Sequence, residues 1–373
     1  MMCAIEAGKR GRSVLLLDHA GKLAEKIRIS GGGRCNFTNR HTRPENFISR
    51  NPHFCRSALA RFSPQDFVSL VVKHGIRYHE KKLGQLFCDG SSQQIIDLLR
   101  HECNAAGVEW KMPCRVVRIH RLSGGRERFM LETDRGVVSA GSLVIATGGL
   151  SIPQIGASSF GYRVAEQFSI SVTPLQPALV PLMFAPELLS IFSELPGIAI
   201  DAAVSCNGPR FRENLLITHR GLSGPAILQI SSYWKPGLPI HVDLLPDIDA
   251  AEWLLGHRHS TALIPNLLTQ YLPRRFAQTW TEEILHGQPA KPANQYDEKR
   301  LGTIAAQLHD WELTPCGTAG YRKAEVTLGQ PWCGQCWRER VPMARQAWAP
   351  SVPPLVPASV PVRSAAPPAG QPW

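Results

Sequence analysis

Three consecutive glycines, Gly31, Gly32 and Gly33, narrow the range of structures that this chain can adopt. Without Cβ atoms, a short loop can take positive φ and bring its backbone close to a ligand, although this freedom costs entropy. A glycine triplet alone is typical of a plain flexible loop. Here Ser30 precedes it and Arg34 follows it, so the loop presents amide donors, a hydroxyl and a cation together. That combination suits a diphosphate group.

A short apolar run lies upstream of the glycines. Residues 13–17 form this run, and Asp18 follows it directly. The pattern predicts a buried parallel strand with a carboxylate at its C-terminal edge. In dinucleotide-binding folds an acid at this point accepts hydrogen bonds from a ribose, about 20 residues after a GxGxxG turn. No such turn precedes Asp18, and counting back places it just before Met1. We therefore expect that the chain starts inside its first βαβ unit, through a misassigned start codon or a shortened gene product.

A second apolar run has the same form. Residues 143–146 predict a strand, and Thr147, Gly148 and Gly149 follow it directly. The glycines allow close approach of the backbone, and the threonine supplies a hydroxyl. The Ala-Thr-Gly-Gly sequence is weak as an isolated motif. Its position after the first glycine loop indicates a second turn that passes the same ligand.

The pattern changes after residue 172. Five prolines fall within residues 174–196, and alternating apolar residues at 198–205 and 240–244 predict short antiparallel strands in a small barrel or sandwich. Apolar residues at helical spacing follow from residue 250. The sequence therefore predicts three regions: a first domain at 1–172, an inserted domain at 173–328 that is β-rich to 249 and helical from 250, and a tail at 329–373.

Four runs, at residues 29–39, 143–156, 211–225 and 320–329, together resemble the BaiN-like NAD(P)/FAD-dependent oxidoreductases. This bacterial flavoprotein family is also labelled aminoacetone oxidase-like. The resemblance implies an α/β fold, with a Rossmann-like FAD-binding domain of the glutathione-reductase type and an inserted β-barrel-plus-helical domain. It also implies FAD as the cofactor, with NADH or NADPH as a candidate electron donor.

The resemblance further implies which residues hold FAD. They lie in and around the two glycine loops: Asp18, Lys26, Ser30, Gly31, Gly32, Gly33, Arg34, Cys35, Asn36, Val116, Thr147, Gly148 and Gly149. Arg34 is expected to face negative charge on the flavin or on an acidic substrate, the alternative being a plain exposed arginine. Cys35 could be a redox thiol. Without a second cysteine nearby in sequence, a small packed thiol is the favoured role.

His219 is the second candidate catalytic residue besides Arg34. It is followed by Gly-Leu-Ser-Gly-Pro, and the resemblance implies that this loop borders the active-site cleft. An imidazole titrates near neutrality, so His219 could donate or accept a proton beside a substrate. A structural hydrogen-bonding role is the alternative.

Residues 330–373 differ from the family and from the rest of the chain. They contain ten prolines and four tryptophans and show no helical or strand period, which is typical of a disordered tail. A Pro-rich recognition segment is one alternative. We favour a reading-frame shift after Gly329, because the break falls inside a motif that the family is expected to continue.

The formal net charge of +11 suggests anionic partners. Residues 1–50 carry ten Lys or Arg against four acids, which fits a phosphate-bearing cofactor as well as nucleic acid. Because no nucleic-acid-binding motif is recognisable, we expect a small-molecule substrate and no specific nucleic-acid partner. The sequence contains no indication of the oligomeric state.

Cysteine usage and hydropathy indicate the compartment. The ten cysteines lack the spacing of a disulfide framework, so reduced thiols in a cytoplasm are expected. The pair Cys333 and Cys336 has no second pair and no His partner, so no metal site is predicted. No apolar run approaches membrane-spanning length and no signal-peptide pattern is present, so no membrane insertion is expected.

Three hypotheses about function follow. The first is an FAD-dependent, NAD(P)H-linked oxidoreductase that transfers hydride between the flavin and an unidentified small organic substrate. The second is an inactive, truncated or frameshifted remnant of such a flavoprotein that binds no FAD. The third is a basic protein that binds partners through charge and its Pro/Arg tail, and salt-dependent retention on nucleic acid without a flavin spectrum would favour it.

Overall fold

The computed structural model describes residues 1–49 and 51–329. The chain divides into two compact units: Met1–Met183 with the segment that begins at Cys316, and Phe184–Pro315. The second unit is shorter at both ends than the inserted domain drawn at 173–328. The reason is backbone pairing within the first unit, which is described below. The expectations for residues 330–373, including the Cys333 and Cys336 pair, lie outside the described residues.

The secondary structure of the described residues follows the chain as an α/β mixture. The α-helices are α1 (Met2–Lys9), α2 (Glu25–Ile29), α3 (Arg56–Arg61), α4 (Pro64–Lys73), α5 (Gln93–Ala105), α6 (Phe160–Gln167), α7 (Pro186–Phe192), α8 (Pro225–Ile230), α9 (Ala250–Gly256), α10 (Ile264–Leu268), α11 (Arg274–Ile284) and α12 (Glu298–His309). The strands are β1 (Val14–Leu17), β2 (Asn36–Asn39), β3 (Tyr78–Glu80), β4 (Gln85–Cys88), β5 (Val108–Lys111), β6 (Val116–Arg121), β7 (Phe129–Thr133), β8 (Gly136–Ala140), β9 (Gln176–Ala178), β10 (Leu182–Met183), β11 (Ala199–Ser205), β12 (Arg210–Thr218), β13 (Gly221–Ser223), β14 (Ile240–Asp243), β15 (Trp311–Leu313), β16 (Gly317–Thr318) and β17 (Val326–Leu328).

The predicted parallel strand before Asp18 is confirmed. β1 pairs in parallel with β5, with Val14 opposite Val108. Helix α1 packs on this pair and on α5, and Gly8 makes the approach possible, because a Cβ there would lie 2.2 Å from the Ala106 carbonyl oxygen. A core of aliphatic residues from α4, α5 and β1 fills the space beneath. The result is an apolar support under the carboxyl end of β1.

Two antiparallel sheets complete the larger part of the first unit. One has the order β2–β4–β3, and the other is the meander β6–β7–β8. Two more strand pairs join residues 176–183 to residues 317–328: β9 pairs with β17, and β10 pairs with β16. Residues 176–183 and 316–329 therefore belong to the first unit. For this reason the second unit is shorter than the inserted domain predicted at 173–328.

The strand predicted at residues 143–146 is not formed. The segment is irregular, with a single bridge residue at Ile145. A strand needs a neighbour along its length to satisfy its backbone groups, and no described strand runs beside this segment. Ile145 is nevertheless buried against α6. The apolar run thus correctly indicated a buried segment, but the prediction that this segment pairs as a strand was wrong.

The second unit contains an antiparallel sheet and a group of helices, as the pattern after residue 172 predicts. Five of its strands follow the linear order β15–β14–β11–β12–β13, so they form an open sheet where a small barrel or sandwich was expected. Helices α9 and α12 pack on each other, as do α10 and α11. Fully buried Phe211, Phe276 and Trp280 lie in the core of this unit. No helix in the described part of the chain combines the length and apolar character needed to cross a bilayer.

Candidate cofactor site

The glycine loop is a tight turn held on both sides. Gly31, Gly32 and Gly33 have φ of 57°, 66° and 83°, all in the region that favours glycine. The Cys35 amide donates to the Ser30 carbonyl at 3.1 Å. From the start of α5, the buried Ser92 donates through its amide to the Gly33 carbonyl at 2.7 Å. The loop is therefore a fixed turn, and the plain flexible loop can be discarded.

The three glycines differ in their surroundings. A Cβ on Gly31 would lie 2.8 Å from both the Asn36 amide nitrogen and the Phe87 ring, so Gly31 is required by packing. A Cβ on Gly32 or Gly33 would meet no protein atom within 4 Å. These two positions leave their backbone open to a ligand, which is the property that a diphosphate site needs.

The end of β1 places the predicted ribose carboxylate beside two other segments. Asp18 Oδ1 accepts a hydrogen bond from the Ala20 amide at 2.9 Å, and the Asp18 carbonyl accepts one from Cys114 at 2.7 Å. Cys114 lies two residues before Val116, so β6 starts next to Asp18. His19 Nε2 lies 3.0 Å from the Gly156 carbonyl oxygen. This contact links the end of β1 to the segment that follows the second glycine loop, Thr147 to Gly149.

The second glycine loop also has one open and one packed glycine. Gly148 has φ of 73° and would give a Cβ no neighbour within 4 Å. A Cβ on Gly149 would lie 2.7 Å from Thr327 Oγ1, which in turn accepts hydrogen bonds from the Leu150 and Ser151 amides at 3.0 and 3.1 Å. Thr147 is exposed and holds its hydroxyl against Gly161 at the start of α6. β17 thus fixes the conformation of this loop.

Lys26 forms a hydrogen bond with a distant segment of the first unit. Its Nζ donates to the Glu325 carbonyl oxygen at 2.7 Å. Burial lowers the pKa of Lys26, partly offset by the Glu325 carboxylate, and burial raises the pKa of Glu325, partly offset by Lys26. The pair ties α2, which leads into the first glycine loop, to the segment that carries Thr327.

The remaining residues predicted in the first loop have different roles. Arg34 is exposed, and within the described residues its guanidinium has no hydrogen-bond or ion-pair partner. Asn36 is buried, and its amide can donate to the Thr38 and Leu86 carbonyls at 3.0 and 3.2 Å. Ser30 Oγ donates to the Ile27 carbonyl at 2.8 Å. Arg34 therefore remains available for an anion, whereas Asn36 and Ser30 shape the loop.

Cys35 is a packed thiol. It is fully buried, and burial raises the pKa of its thiol to about 11 despite a hydrogen bond with Ser30. Cys88 lies beside it, and burial together with the Cys35 sulfur raises the pKa of Cys88 to about 12. Both groups are neutral thiols at pH 7, which agrees with the packing role favoured for Cys35 over a redox role.

His219 belongs to the second unit and forms part of the two-residue turn between β12 and β13. Its side chain is exposed and forms no hydrogen bond with any described residue. Within the first unit, the structure places Asp18 beside the start of β6 and links α2, which leads into the first glycine loop, to the segment that carries Thr327. His219 lies outside that unit. Its catalytic role stays a prediction.

Several residues that shape the site have no recognisable signal in the sequence. Ser92, His19, Glu325 and Thr327 each hold one of its loops, as described above. Their partners lie far away along the chain, so no local spacing marks them. For Glu325 and Thr327, the one available signal was that residues 320–329 are among the four runs that carry the family resemblance.

The residues of the first unit fit FAD. Two glycine loops have open backbone at Gly32, Gly33 and Gly148, where a diphosphate could approach without meeting a side chain. Asp18, at the carboxyl end of a parallel strand, can accept hydrogen bonds from ribose hydroxyls. When bound, FAD supplies hydride-transfer chemistry, while the chain supplies binding and orientation.

Comparison with known proteins identifies the family of the chain and several relatives. A family model described as "HI0933-like protein Rossmann domain" matches residues 1–329. The chain is 47% identical over 332 residues to a protein of Escherichia coli strain K12 named "Ribosomal RNA dihydrouridine synthase", covering 88% of this chain and 82% of that protein. It is 40% identical over 333 residues to the Haemophilus influenzae protein of the same name, with the same two coverages.

A more distant relative corresponds to the resemblance found in the sequence. The chain is 24% identical over 342 residues to the "3-dehydro-bile acid delta(4,6)-reductase" of Clostridium scindens, covering 87% of this chain and 81% of that protein. The BaiN-like resemblance is therefore confirmed only at the level of a distant relative. The two relatives of higher identity carry a name that refers to RNA.

Proposed function

The chain belongs to the HI0933-like family of Rossmann-domain proteins, and on that premise we propose that it is an FAD-dependent reductase of uridine in ribosomal RNA. The observation that carries this proposal is the 47% identity over 332 residues to the E. coli protein named for that reaction. The proposal makes the substrate an RNA base. It departs from our expectation of a small organic substrate and no specific nucleic-acid partner.

The proposed reaction reduces the ring carbon–carbon double bond of uracil to a single bond. The two ring carbons gain one hydride equivalent, which NADH or NADPH would supply, and one proton. FAD held at the two glycine loops would provide the hydride-transfer chemistry. The products are dihydrouridine and NAD⁺ or NADP⁺, so electrons and atoms balance. The chain must bind the cofactor, hold the base against it and deliver the proton.

The residues of the first unit have distinct proposed roles. Gly32, Gly33 and Gly148 allow the diphosphate to approach the backbone, and Asp18 binds the ribose. Arg34 is an exposed cation next to the glycine loop, and we assign it to negative charge on the flavin or the RNA. His219 belongs to the second unit, and the resemblance of residues 211–225 makes it our candidate proton donor.

The proposal is tested by incubating the purified chain with FAD, NADPH or NADH, and ribosomal RNA transcribed in vitro, which contains no modified bases. Nuclease digestion and mass spectrometry then measure dihydrouridine. We expect dihydrouridine that depends on the chain, the cofactor and the reductant. A flavin-loaded chain that oxidises the reductant without forming dihydrouridine would contradict the RNA substrate. A folded chain without a flavin absorption spectrum would contradict the enzyme itself.

A further inference from the structure

A group of cations follows the first glycine loop along the chain. Residues 34–88 contain ten Lys or Arg and three acidic residues, in a chain whose formal net charge is +11. We use the name basic face for the part of this group on and around the sheet β2–β4–β3: Arg34, Arg40, His79, Lys81 and Lys82. Four of the five side chains are exposed, and His79 is half-buried.

The sheet β2–β4–β3 has one face toward the core and one toward the glycine loop. Phe37, Leu86 and Cys88 point into the apolar core. On the other face, the His79 ring stacks on Phe87 with centroids 6.1 Å apart, and Lys81 Nζ lies 4.1 Å above the same ring. Since Phe87 packs against Gly31, the basic face and the glycine loop are neighbours.

The hairpin that carries the two lysines is held in place. The buried Asn39 donates through Nδ2 to the Leu83 carbonyl at 2.8 Å, and the Arg40 amide donates to the Gly84 carbonyl at 2.9 Å. These bonds fix the turn between β3 and β4. Lys81 and Lys82 are thus presented from a rigid turn, which limits the entropy lost when they bind.

Carboxylates neutralise only part of the basic face. Arg40 pairs with Glu80 at 2.7 Å, and His79 Nδ1 lies 2.7 Å from Asp89 Oδ1. Arg34, Lys81 and Lys82 have no carboxylate within 4.0 Å among the residues that the structure describes. Cations left without acidic neighbours beside a cofactor loop are suited to phosphate groups outside the chain.

We propose that the basic face binds the phosphate backbone of the RNA substrate and so holds the target nucleotide at the cofactor loop. This inference rests on the proposed function and adds the surface that recognises the RNA. A base that reacts with a cofactor must be turned toward it, and the phosphates on either side of that base then lie beside the same loop. Lys81 lies over the ring of Phe87, which packs against Gly31, and Lys82 follows Lys81 in the same turn.

The test compares two double variants of the full chain. Lys81→Gln/Lys82→Gln removes two charges from the basic face, and Lys235→Gln/Lys299→Gln removes the same charge from exposed positions in the second unit. Filter binding of ribosomal RNA transcribed in vitro is measured at several KCl concentrations. For two lost phosphate contacts, the slope of log K against log salt should become shallower by about 1.5, and affinity at 0.1 M salt should fall at least about tenfold. The control should keep the wild-type slope.

The outcomes separate this inference from the proposed function. Suppose that wild type forms dihydrouridine and that Lys81→Gln/Lys82→Gln retains the wild-type salt slope. RNA binding by the basic face would then be contradicted, while the proposed function would stand. An equal loss in both double variants would also overturn it, because binding would then follow total charge. If wild type neither binds the RNA nor forms dihydrouridine, the function fails and the inference fails with it. Flavin spectra of both variants establish that they are folded.

Discussion

At the scale of single residues, the glycines of the first loop are required for different reasons. One is required by packing, and another leaves its backbone open to a ligand. Gly31 has no room for a Cβ, whereas Gly32 has open space and a similar φ. Both positions are left-handed, so any side chain there is strained by about 1–2 kcal/mol. The two substitutions should therefore produce different defects.

We expect Gly31→Ala to lower the free energy of unfolding by about 3 kcal/mol, because strain and overlap with Asn36 and Phe87 add. Gly32→Ala should cost only about 1 kcal/mol yet reduce flavin content, since the new methyl group occupies the ligand's side of the loop. Urea denaturation and the flavin absorbance per chain measure the two effects. Full flavin content in Gly32→Ala would contradict the assignment of this loop to the cofactor.

The raised pKa of two thiols predicts selective alkylation. Because the thiolate is the reactive form, Cys35 and Cys88 should resist iodoacetamide in the native chain at pH 7.5. The exposed Cys3 and Cys316 should react. Peptide mapping by mass spectrometry follows each site separately, and a urea-denatured sample supplies the control in which all four react. Rapid native modification of Cys35 would restore the redox role.

At the scale of elements, one buried carboxylate joins three helices. Glu102 of α5 lies 2.9 Å from His74 Nε2, and it forms ion pairs at 3.1 Å with Lys73 and with Lys9 of α1. The hydrogen bond with His74, followed by those with the lysines, lowers the pKa of Glu102 to about 2. A carboxyl pKa that is lower in the folded state stabilises the fold above the unfolded pKa, and this contribution disappears as pH falls.

We predict that Glu102→Gln lowers the free energy of unfolding by about 2–3 kcal/mol at pH 7. The difference from wild type should shrink as pH falls below the ordinary value of 4.5 toward 2, because the wild-type carboxylate then takes up a proton in both states. Urea denaturation at pH 7, 4 and 3 measures it. Glu109→Gln, at an exposed site on β5, is the control and should change stability little. A difference that is constant with pH would contradict the linkage.

Strand β17 supports the second glycine loop through one hydroxyl. We expect Thr327→Val, which keeps the shape and removes the acceptor, to cost about 1–3 kcal/mol because two amides lose their partner. Flavin content should fall with it. Thr303→Val, on the exposed side of α12, removes a hydroxyl that bonds within its own helix and should have little effect on either measurement. Equal effects would mean that Thr327 has no special role.

Elements were predictable where the signal is local. The break between α3 and α4 follows from Ser63 and Pro64, because Ser63 accepts the Asp66 amide and proline suits the first helical turn. The strand predicted at residues 143–146 failed because pairing depends on a neighbour that local sequence does not reveal. The same limit explains the site: both glycine loops were visible in the sequence, whereas Ser92 and Thr327 bind them from distant positions.

At the scale of the whole molecule, charge is distributed unevenly along the chain. The ten cations of residues 34–88 account for much of the net charge of +11, and this segment directly follows the glycine loop that we assign to the cofactor. Under the proposed function, one basic region would serve a diphosphate and a nucleic acid together. Our expectation of no specific nucleic-acid partner rested on motifs, and the name of the two relatives of higher identity weighs against it only weakly.

The hydrogen bond between Lys26 and Glu325 has a consequence for the order of events on the ribosome. Its two residues are 299 positions apart, and the whole second unit is translated between them. At about 5–20 residues per second, the first glycine loop waits on the order of 15–60 s for the segment that completes its surroundings. The second unit can therefore fold first, and the nascent chain should acquire its flavin only after residue 327 has left the exit tunnel.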